Sequence, residues 1–185
     1  MGLQTSEDEM AKPLTAEQAI FLLQDALIPM LKAEHRMTKA VLEAVPADKP
    51  DYRPDPNAKT AMELVRHIAA AENRFLETTI NGEFSTAPAA FPESAKTPAD
   101  FAAWYAQQFE KNCESLTKLS GEQLLKMVDF RGMFQRPAVT FVQLGLNHSI
   151  HHRGQLTTYL RPMGGKVPAI YGESYDSALA KKAAG

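Results

Sequence analysis

Apolar residues recur every three or four positions along four stretches of the chain, which is the spacing of amphipathic helices. The first stretch starts near Thr15 and continues to about position 45, where four prolines in residues 46–56 open a loop. Pro29 lies inside this stretch, and we expect the helix to kink or split there because proline lacks the N–H that a helix interior needs. The apolar positions are Ile20, Leu23, Leu27, Met30, Leu31, Met37, Val41 and Leu42.

The second helix is marked by signals at both of its ends. Thr60 followed by Glu63 is a capping-box pattern, in which the two side chains satisfy backbone N–H groups of the first turn. This pattern predicts a helix over residues 60–80, which Gly82 ends. Residues 82–98 then form a long connection, which is typical of a crossover in a helical bundle.

Two further helices and one short extended piece follow. Thr97 as a cap, with Pro98 at the first helical position, predicts a third helix over residues 97–119. Residues 128–136 are expected to be briefly extended, with a glycine turning them. A fourth helix is predicted over residues 136–161, where a proline and two glycines end it.

The predicted fold class is therefore all-α, a four-helix bundle with a long crossover between the second and third helices. Residues 15–165 form this bundle. Residues 1–14 are predicted to be a flexible tail, and residues 166–185 a C-terminal tail that packs on or near the bundle.

Composition narrows the class of protein. The formal net charge of the 185 residues is −2, which argues against a nucleic-acid partner. Apolar runs are too short for a membrane span, and the polar N-terminus does not resemble a signal peptide. Cys113 is the only cysteine, and its place among apolar residues predicts an inert buried thiol. Together these features predict a cytoplasmic protein.

Histidines are concentrated in the fourth predicted helix. Three of the five in the chain, His148, His151 and His152, lie within five residues. The four-residue spacing of His148 and His152 places their imidazoles on one helix face, about 40° apart. Two imidazoles one turn apart can bind one divalent metal ion, but a stable site needs a third ligand. His67, in the second helix, is a candidate, although spacing alone does not bring the two helices together.

Other polar residues are expected to have structural or surface roles rather than to bind the metal. Glu63 either orients the ring of His67 or serves only the capping box. Glu72 projects away from His67, and we do not expect it to bind the metal. Charged neighbours predict a surface position for His35, and Arg153 and Arg161 are expected to be solvated or interface charges.

The fourth helix is apolar on two sides, which requires two packing partners. The first side carries the histidine pair and faces the bundle interior; its members are Phe141, Leu144, Gly145, His148, His152, Gln155 and Tyr159. The second side carries Val142, Leu146 and Ile150. We expect a second copy of the chain to cover this second side, and therefore predict a homodimer.

The motifs identify a family resemblance. Residues 147–156 (NHSIHHRGQL), closing a last helix and followed by Gly164, resemble the DinB/YfiT-like family, the DinB superfamily. Residues 64–72 (LVRHIAAAE) resemble the second helix of the same family. The likeness extends over about residues 19–165.

The resemblance implies a metal site. Members of the family are four-helix bundles, usually homodimers, in which three ligands, mostly histidines, hold a divalent metal described as zinc or nickel. Carried onto this sequence, the ligands are His67, His148 and His152. His151 matches a histidine that often precedes the last ligand, and it is not counted as one.

The same resemblance gives three functional hypotheses. The first is transfer of a low-molecular-weight thiol through a metal-bound thiolate, with mycothiol and bacillithiol as examples. The second is a hydrolase using metal-bound hydroxide, for which Glu63, His151 and Tyr159 are weak candidates as catalytic residues. The third is a bundle whose metal binds a ligand or braces the helices without catalysis. The sequence identifies no residues that bind the small molecule, although residues 83–91 and Tyr171 are placed to shape a pocket.

Overall fold

The computed structural model describes residues 13–184, which form a mostly helical fold with one small hairpin. Residues 1–12, the greater part of the predicted flexible tail, lie outside the described residues. The helices are α1 (Ala16–Phe21), α2 (Ile28–Glu43), α3 (Ala61–Asn81), α4 (Pro98–Leu116), α5 (Gly121–Leu125), α6 (Val139–Leu160) and α7 (Tyr175–Ala184), and the strands are β1 (Met127–Phe130) and β2 (Phe134–Pro137).

Helix α1 runs into α2 without a break, through a π-helical segment at Leu22–Leu27. The helical run therefore does not split at Pro29. Pro29 has no N–H to donate to the carbonyl of Asp25 one turn earlier, so regular α-helical bonding fails at this point. The wider π turns lie immediately before the proline, where the mismatch has to be absorbed.

The predicted caps of α3 and α4 are confirmed. Thr60 N donates to Glu63 Oε2 at 2.7 Å and Glu63 N donates to Thr60 Oγ1 at 3.1 Å, which completes the capping box. Gly82 ends α3 in the left-handed region, at φ 65°. Thr97 caps α4 in the same way. Helix α4 ends slightly earlier than its predicted end at Leu119.

The predicted extended piece is an antiparallel hairpin of β1 and β2. Gly132 in its turn has φ 73°, a conformation that favours glycine. Val128 of β1 is buried in a small aromatic cluster with Phe141 at the start of α6. The hairpin thus fixes the position at which α6 begins.

Four helices form the bundle: α3 packs against α4 and α6, and α2 packs against the same two helices. The long crossover between α3 and α4 is where the sequence predicts it. Two large apolar clusters fill the interior, one toward each end of the bundle. Within residues 13–184, the helices are too short or too polar to span a membrane.

The second apolar side of α6 is covered by the chain itself. Val142 and Leu146 have 0% and 1% of their surface exposed, and Ile150 packs partly buried against the same cluster, which includes Ala19 and Leu23 of the first helical run. The prediction that these three residues form a dimer interface is wrong, because an intramolecular helix already occupies that side. Dimer formation itself stays a prediction, now without this surface.

The last residues of the chain contact the bundle. Val167 and Ile170 pack against one of the apolar clusters. Asp176 accepts hydrogen bonds from Arg161 Nε and from the backbone N–H of Val167, both at 3.0 Å. Arg161, expected to be solvated or at an interface, remains largely exposed beside this carboxylate.

Candidate metal centre

Three histidines meet between α3 and α6. His67 Nε2 lies 3.1 Å from His148 Nε2, although 81 residues separate the two in sequence. The ring of His152 lies 4.5 Å from each of the other two, measured between ring centroids. One nitrogen from each ring lies within 4.8 Å of the other two. We call His67, His148 and His152 the histidine triad.

Close antiparallel packing of α3 and α6 produces this meeting. Near the far end of α3, Thr79 Oγ1 donates to the carbonyl of Ala138 at 2.9 Å, where α6 is about to begin. Between that bond and the triad, Gly145 lies against Phe75. A Cβ at position 145 would stand 2.7 Å from the Cβ of Phe75, so only glycine permits this separation of the helices.

The spacing of His67 and His148 fits a tetrahedral divalent cation, and the candidate ligand atoms of all three rings lie within 4.8 Å of one another. Zinc–nitrogen bonds of 2.0–2.1 Å at tetrahedral angles separate two ligand nitrogens by about 3.3 Å, close to the 3.1 Å between His67 and His148. His152 Nδ1 lies 3.0 Å from Gln155 Oε1. This bond orients the ring and leaves Nε2 for an ion, as is usual for metal-binding histidines.

Electrostatics keep two of the rings neutral. Burial lowers the pKa of His67 to about 4, with smaller contributions from His152, Lys59 and Arg74. Burial likewise lowers the pKa of His148 to about 4, with His152 as the next cause. Because both rings are unprotonated at neutral pH, their lone pairs are free for a cation.

The weak catalytic candidates lie in three different settings. Glu63 is exposed and bound to the Thr60 N–H, and that hydrogen bond is the main cause of its lowered pKa. His151 is exposed, with its ring 4.7 Å from that of His152. Tyr159 is buried, and its hydroxyl has no hydrogen-bond partner within residues 13–184. Glu63 is thus a helix cap, in agreement with the simpler of its two interpretations.

Arg153 is not a solvated or interface charge, as we expected, but a core residue with 2% of its surface exposed. Its Nη1 donates to Glu34 Oε2 at 2.6 Å, and its Nη2 donates to the Tyr171 hydroxyl at 2.7 Å. That hydroxyl also contacts the Glu34 carboxylate, at 2.9 and 3.0 Å. The guanidinium is buried because a carboxylate on α2 neutralises it.

The predicted surface position of His35 is also wrong. Its ring is buried and stacks on Phe109, 3.7 Å between centroids, and its Nδ1 lies 3.5 Å from Glu72 Oε1. Tyr105 donates its hydroxyl proton to the same carboxylate oxygen at 2.6 Å. Burial, and next the charge of Glu72, raise the pKa of Tyr105 well above its usual value.

We call these buried groups the core network: Glu34, His35, Thr38, Glu72, Tyr105 and Arg153. Sequence reasoning missed it, because each charge on its own helix resembles an ordinary surface charge and only tertiary contact pairs them. Glu72 does project away from His67, as predicted. Cys113 is buried as predicted, and burial raises the pKa of its thiol to about 11.

The fold and the triad together define a helical bundle with a three-histidine site able to hold a metal ion. The chain matches the DinB family over residues 21–182 and belongs to that family. The predicted family resemblance is thus confirmed.

Known relatives agree with this assignment. The chain is 30% identical over 133 residues to the uncharacterized protein YjoA of Bacillus subtilis (strain 168), covering 70% of this chain and 84% of that protein. The crystal structure of YjoA, a DinB-like protein, superposes with a TM-score of 0.62 at 25% identity, covering 76% of this chain and 92% of the other.

Two further crystal structures share the fold. A DinB-like protein from Bacillus cereus has a TM-score of 0.67 at 21% identity, over 80% of this chain and 97% of the other. A DinB family member from Exiguobacterium sibiricum has a TM-score of 0.55 at 21% identity, over 77% and 92%. These neighbours confirm the predicted helical fold.

Proposed function

We propose that His67, His148 and His152 bind one divalent metal ion, zinc or nickel, and that the protein uses it to transfer a low-molecular-weight thiol. The observation that carries the proposal is the convergence of three imidazoles, with no carboxylate among the grouped ligands. Three protein ligands leave a fourth tetrahedral position for an external molecule, which is the pattern of catalytic rather than structural zinc. A cytoplasmic location, as predicted, would supply reduced thiols.

The surroundings of the triad favour thiol transfer over hydrolysis. A bound cation lowers the pKa of a thiol and supplies the thiolate nucleophile at neutral pH, so the protein needs no separate base. A hydrolase is helped by a general base with a pKa near 7. Glu63 is occupied by its cap and its pKa is lowered, and His151 is exposed.

The fold argues against a purely bracing role for the metal. Proteins that need a metal to fold usually lack a sufficient core of their own. Here two large apolar clusters, with the direct packing of α3 on α6 and the contacts of α2 and α4, hold α3 and α6 together beside the triad. We therefore expect a bound metal to contribute little to the free energy of unfolding and to serve the activity of the protein.

Metal analysis of the purified protein tests the site. We expect about one ion per chain in the natural protein and background levels in His67→Ala, His148→Ala and His152→Ala. His151→Ala is the matched control, because this exposed neighbour lies outside the triad, and it should retain the metal. Full metal content in all three triad variants would overturn the proposal.

Thiol chemistry is tested with the metal-loaded protein. Glutathione, bacillithiol and mycothiol are each supplied with 1-chloro-2,4-dinitrobenzene, and release of the aryl thioether is followed. In this reaction an S–C bond forms, the C–Cl bond breaks, chloride leaves and the thiol proton goes to solvent. Turnover with one thiol, lost in His148→Ala and kept in His151→Ala, supports transfer. If no thiol reacts or shifts the melting temperature, the transferase assignment fails while the metal site stands.

A further inference from the structure

A cavity of about 280 Å³ lies between α3, α4 and the crossover that joins them. Its wall carries one cation and one anion, Arg74 and Glu77, together with the amides of Asn73 and Gln108 and the indole of Trp104. The crossover residues 85–90 cover one side. The cavity is thus small, polar and bordered by both signs of charge.

The two charges attract each other but form no direct ion pair among residues 13–184: burial raises the pKa of Glu77, and the nearby Arg74 offsets this only in part. Arg74 Nη2 donates to the backbone carbonyl of Ala87 at 2.6 Å, which leaves most of the five guanidinium N–H donors unused. Glu77 is exposed at the edge of the cavity, and its carboxylate makes no hydrogen bond within the part of the chain that the structure describes. Because the two residues are three positions apart on one helix, their side chains border the same part of the cavity.

The cavity lies along the same helix as His67, although no residue of the histidine triad lines it. His67, Ala70 and Arg74 lie on successive turns of the same flank, with about 10 Å of helix rise from the first to the last. The charge of Arg74 is among the smaller causes that lower the pKa of His67, after burial, which agrees with this spacing. A small ligand in the cavity is therefore held along the helix that carries His67.

We propose that this cavity binds a zwitterion of amino-acid or dipeptide size, with its carboxylate on Arg74 and its ammonium group on Glu77. A guanidinium binds a carboxylate through two parallel hydrogen bonds, and the carboxylate of Glu77 attracts an ammonium group. Resting on the proposed function, the same site would hold the polar end of the thiol, which restricts the substrate to thiols that carry a free amino group and a free carboxylate.

The chain provides its own probe for the test. Trp104 is the only tryptophan and lines the cavity, so its fluorescence reports on occupancy. The ligands are alanylalanine, its N-acetyl derivative and its C-terminal amide, which contain no thiol. We expect the zwitterion to bind at least about tenfold more tightly than either derivative, since each has lost one charge-assisted bond.

Substitutions of Glu77 and Arg74 test which end of the dipeptide each side chain binds. Glu77→Gln should bind the dipeptide and its N-acetyl derivative equally, and Arg74→Lys, which can still reach the Ala87 carbonyl, should weaken binding of both ligands that carry a carboxylate. Glu110→Gln, an exposed change on α4 away from the cavity, is the control and should bind as the natural protein does. Equal binding of all three ligands by the natural protein, or none, overturns the proposal.

A metal-free variant separates this proposal from the proposed function. His148→Ala should still bind alanylalanine, because the cavity does not use the triad. If dipeptide binding fails while thiol transfer is observed, only the cavity proposal is wrong. If dipeptide binding is observed without metal or turnover, the proposed function is wrong and the cavity stands.

Discussion

His152 and Arg153 are neighbours in α6, yet their side chains enter two different polar clusters. His152 joins the histidine triad, which is partly exposed and contains no carboxylate. Arg153 joins the core network, in which the guanidinium is buried against Glu34. Helix α6 thus contributes two histidines to a group that could hold a metal ion and, on its other side, one arginine to a buried ion pair.

The difference indicates which cluster is built to bind something. In the core network the guanidinium of Arg153 on α6 is neutralised by the carboxylate of Glu34 on α2, so this pair needs no added ion. In the triad three imidazoles come together without an internal acid, a group that could hold an external cation. Polar groups in the same bundle are therefore structural in one case and available for function in the other.

The largest expected effect breaks the core network alone. Arg153→Met leaves the Glu34 carboxylate buried without its counter-charge, and should lower the free energy of unfolding by about 3–5 kcal/mol. Urea denaturation measures this, and the folded variant should retain its metal. The double variant Glu34→Leu with Arg153→Met should recover much of the loss.

A surface pair serves as the control for that experiment. Lys39 and Glu43 form an exposed ion pair on α2, and Lys39→Met should cost at most about 1 kcal/mol. The interpretation of Arg153 as a buried structural charge fails if the two substitutions cost the same.

The next effect concerns the packing that brings the triad together. Gly145→Ala places a methyl group 2.7 Å from the Cβ of Phe75, so α3 and α6 must move apart, at a cost of about 1–3 kcal/mol. Metal affinity should fall with it. Gly154→Ala on the same helix meets no atom within 4 Å and should be neutral or stabilise by up to about 1 kcal/mol. Equal melting temperatures for the two variants would contradict this account.

A third substitution tests the support of the triad. Gln155→Leu removes the partner of His152 Nδ1, and metal affinity should fall by about 10- to 100-fold with little change in stability. Competition with a chromogenic chelator measures the affinity. Gln143→Leu is the control, because it loses only a hydrogen bond to Asn147, and it should bind metal normally. An equal loss of metal affinity in Gln143→Leu would show that any loss of polarity on this helix weakens binding.

The last prediction concerns the pH dependence of the metal-free protein. Burial places the pKa of His67 and of His148 at about 4 in the folded state, below the usual value of about 6.5 in the unfolded chain. The unfolded state therefore binds more protons between these values, and stability is lost as the pH falls from about 6.5 to about 4. Above a pH of about 6.5 both rings are unprotonated in either state, so they no longer change the free energy of unfolding with pH.

Urea titrations at several pH values measure this slope after the metal has been removed. The variant His148→Asn lacks one of the two titrating rings, so its slope in this window should be smaller than that of the natural protein. Carboxylates with lowered pKa values give a slope of the same sign at lower pH in both proteins. Identical slopes between pH 5 and 6.5 would show that burial does not lower the pKa of His148.

Much of the fold follows from local sequence, and the reason is physical. The capping box of Thr60 and Glu63, the cap at Thr97 and the turn at Gly82 each act within one helical turn, so their effects are visible in a few consecutive residues. The four-residue spacing of His148 and His152 is local in the same sense. Helix bounds, the crossover and two of the three histidines of the triad were therefore predictable without coordinates.

The features that the sequence did not predict depend on which helices become neighbours in the fold. The third member of the triad lies 81 residues from His148, and Arg153 finds Glu34 across 119 residues. The family resemblance supplied His67, whereas helix geometry alone left it open. Nothing local distinguished the buried Arg153 from a surface arginine, or the covered Val142 from a dimer contact. The sequence determined the helices and their faces, and the tertiary structure decided which faces meet, because burial and charge pairing are properties of contacts between distant segments.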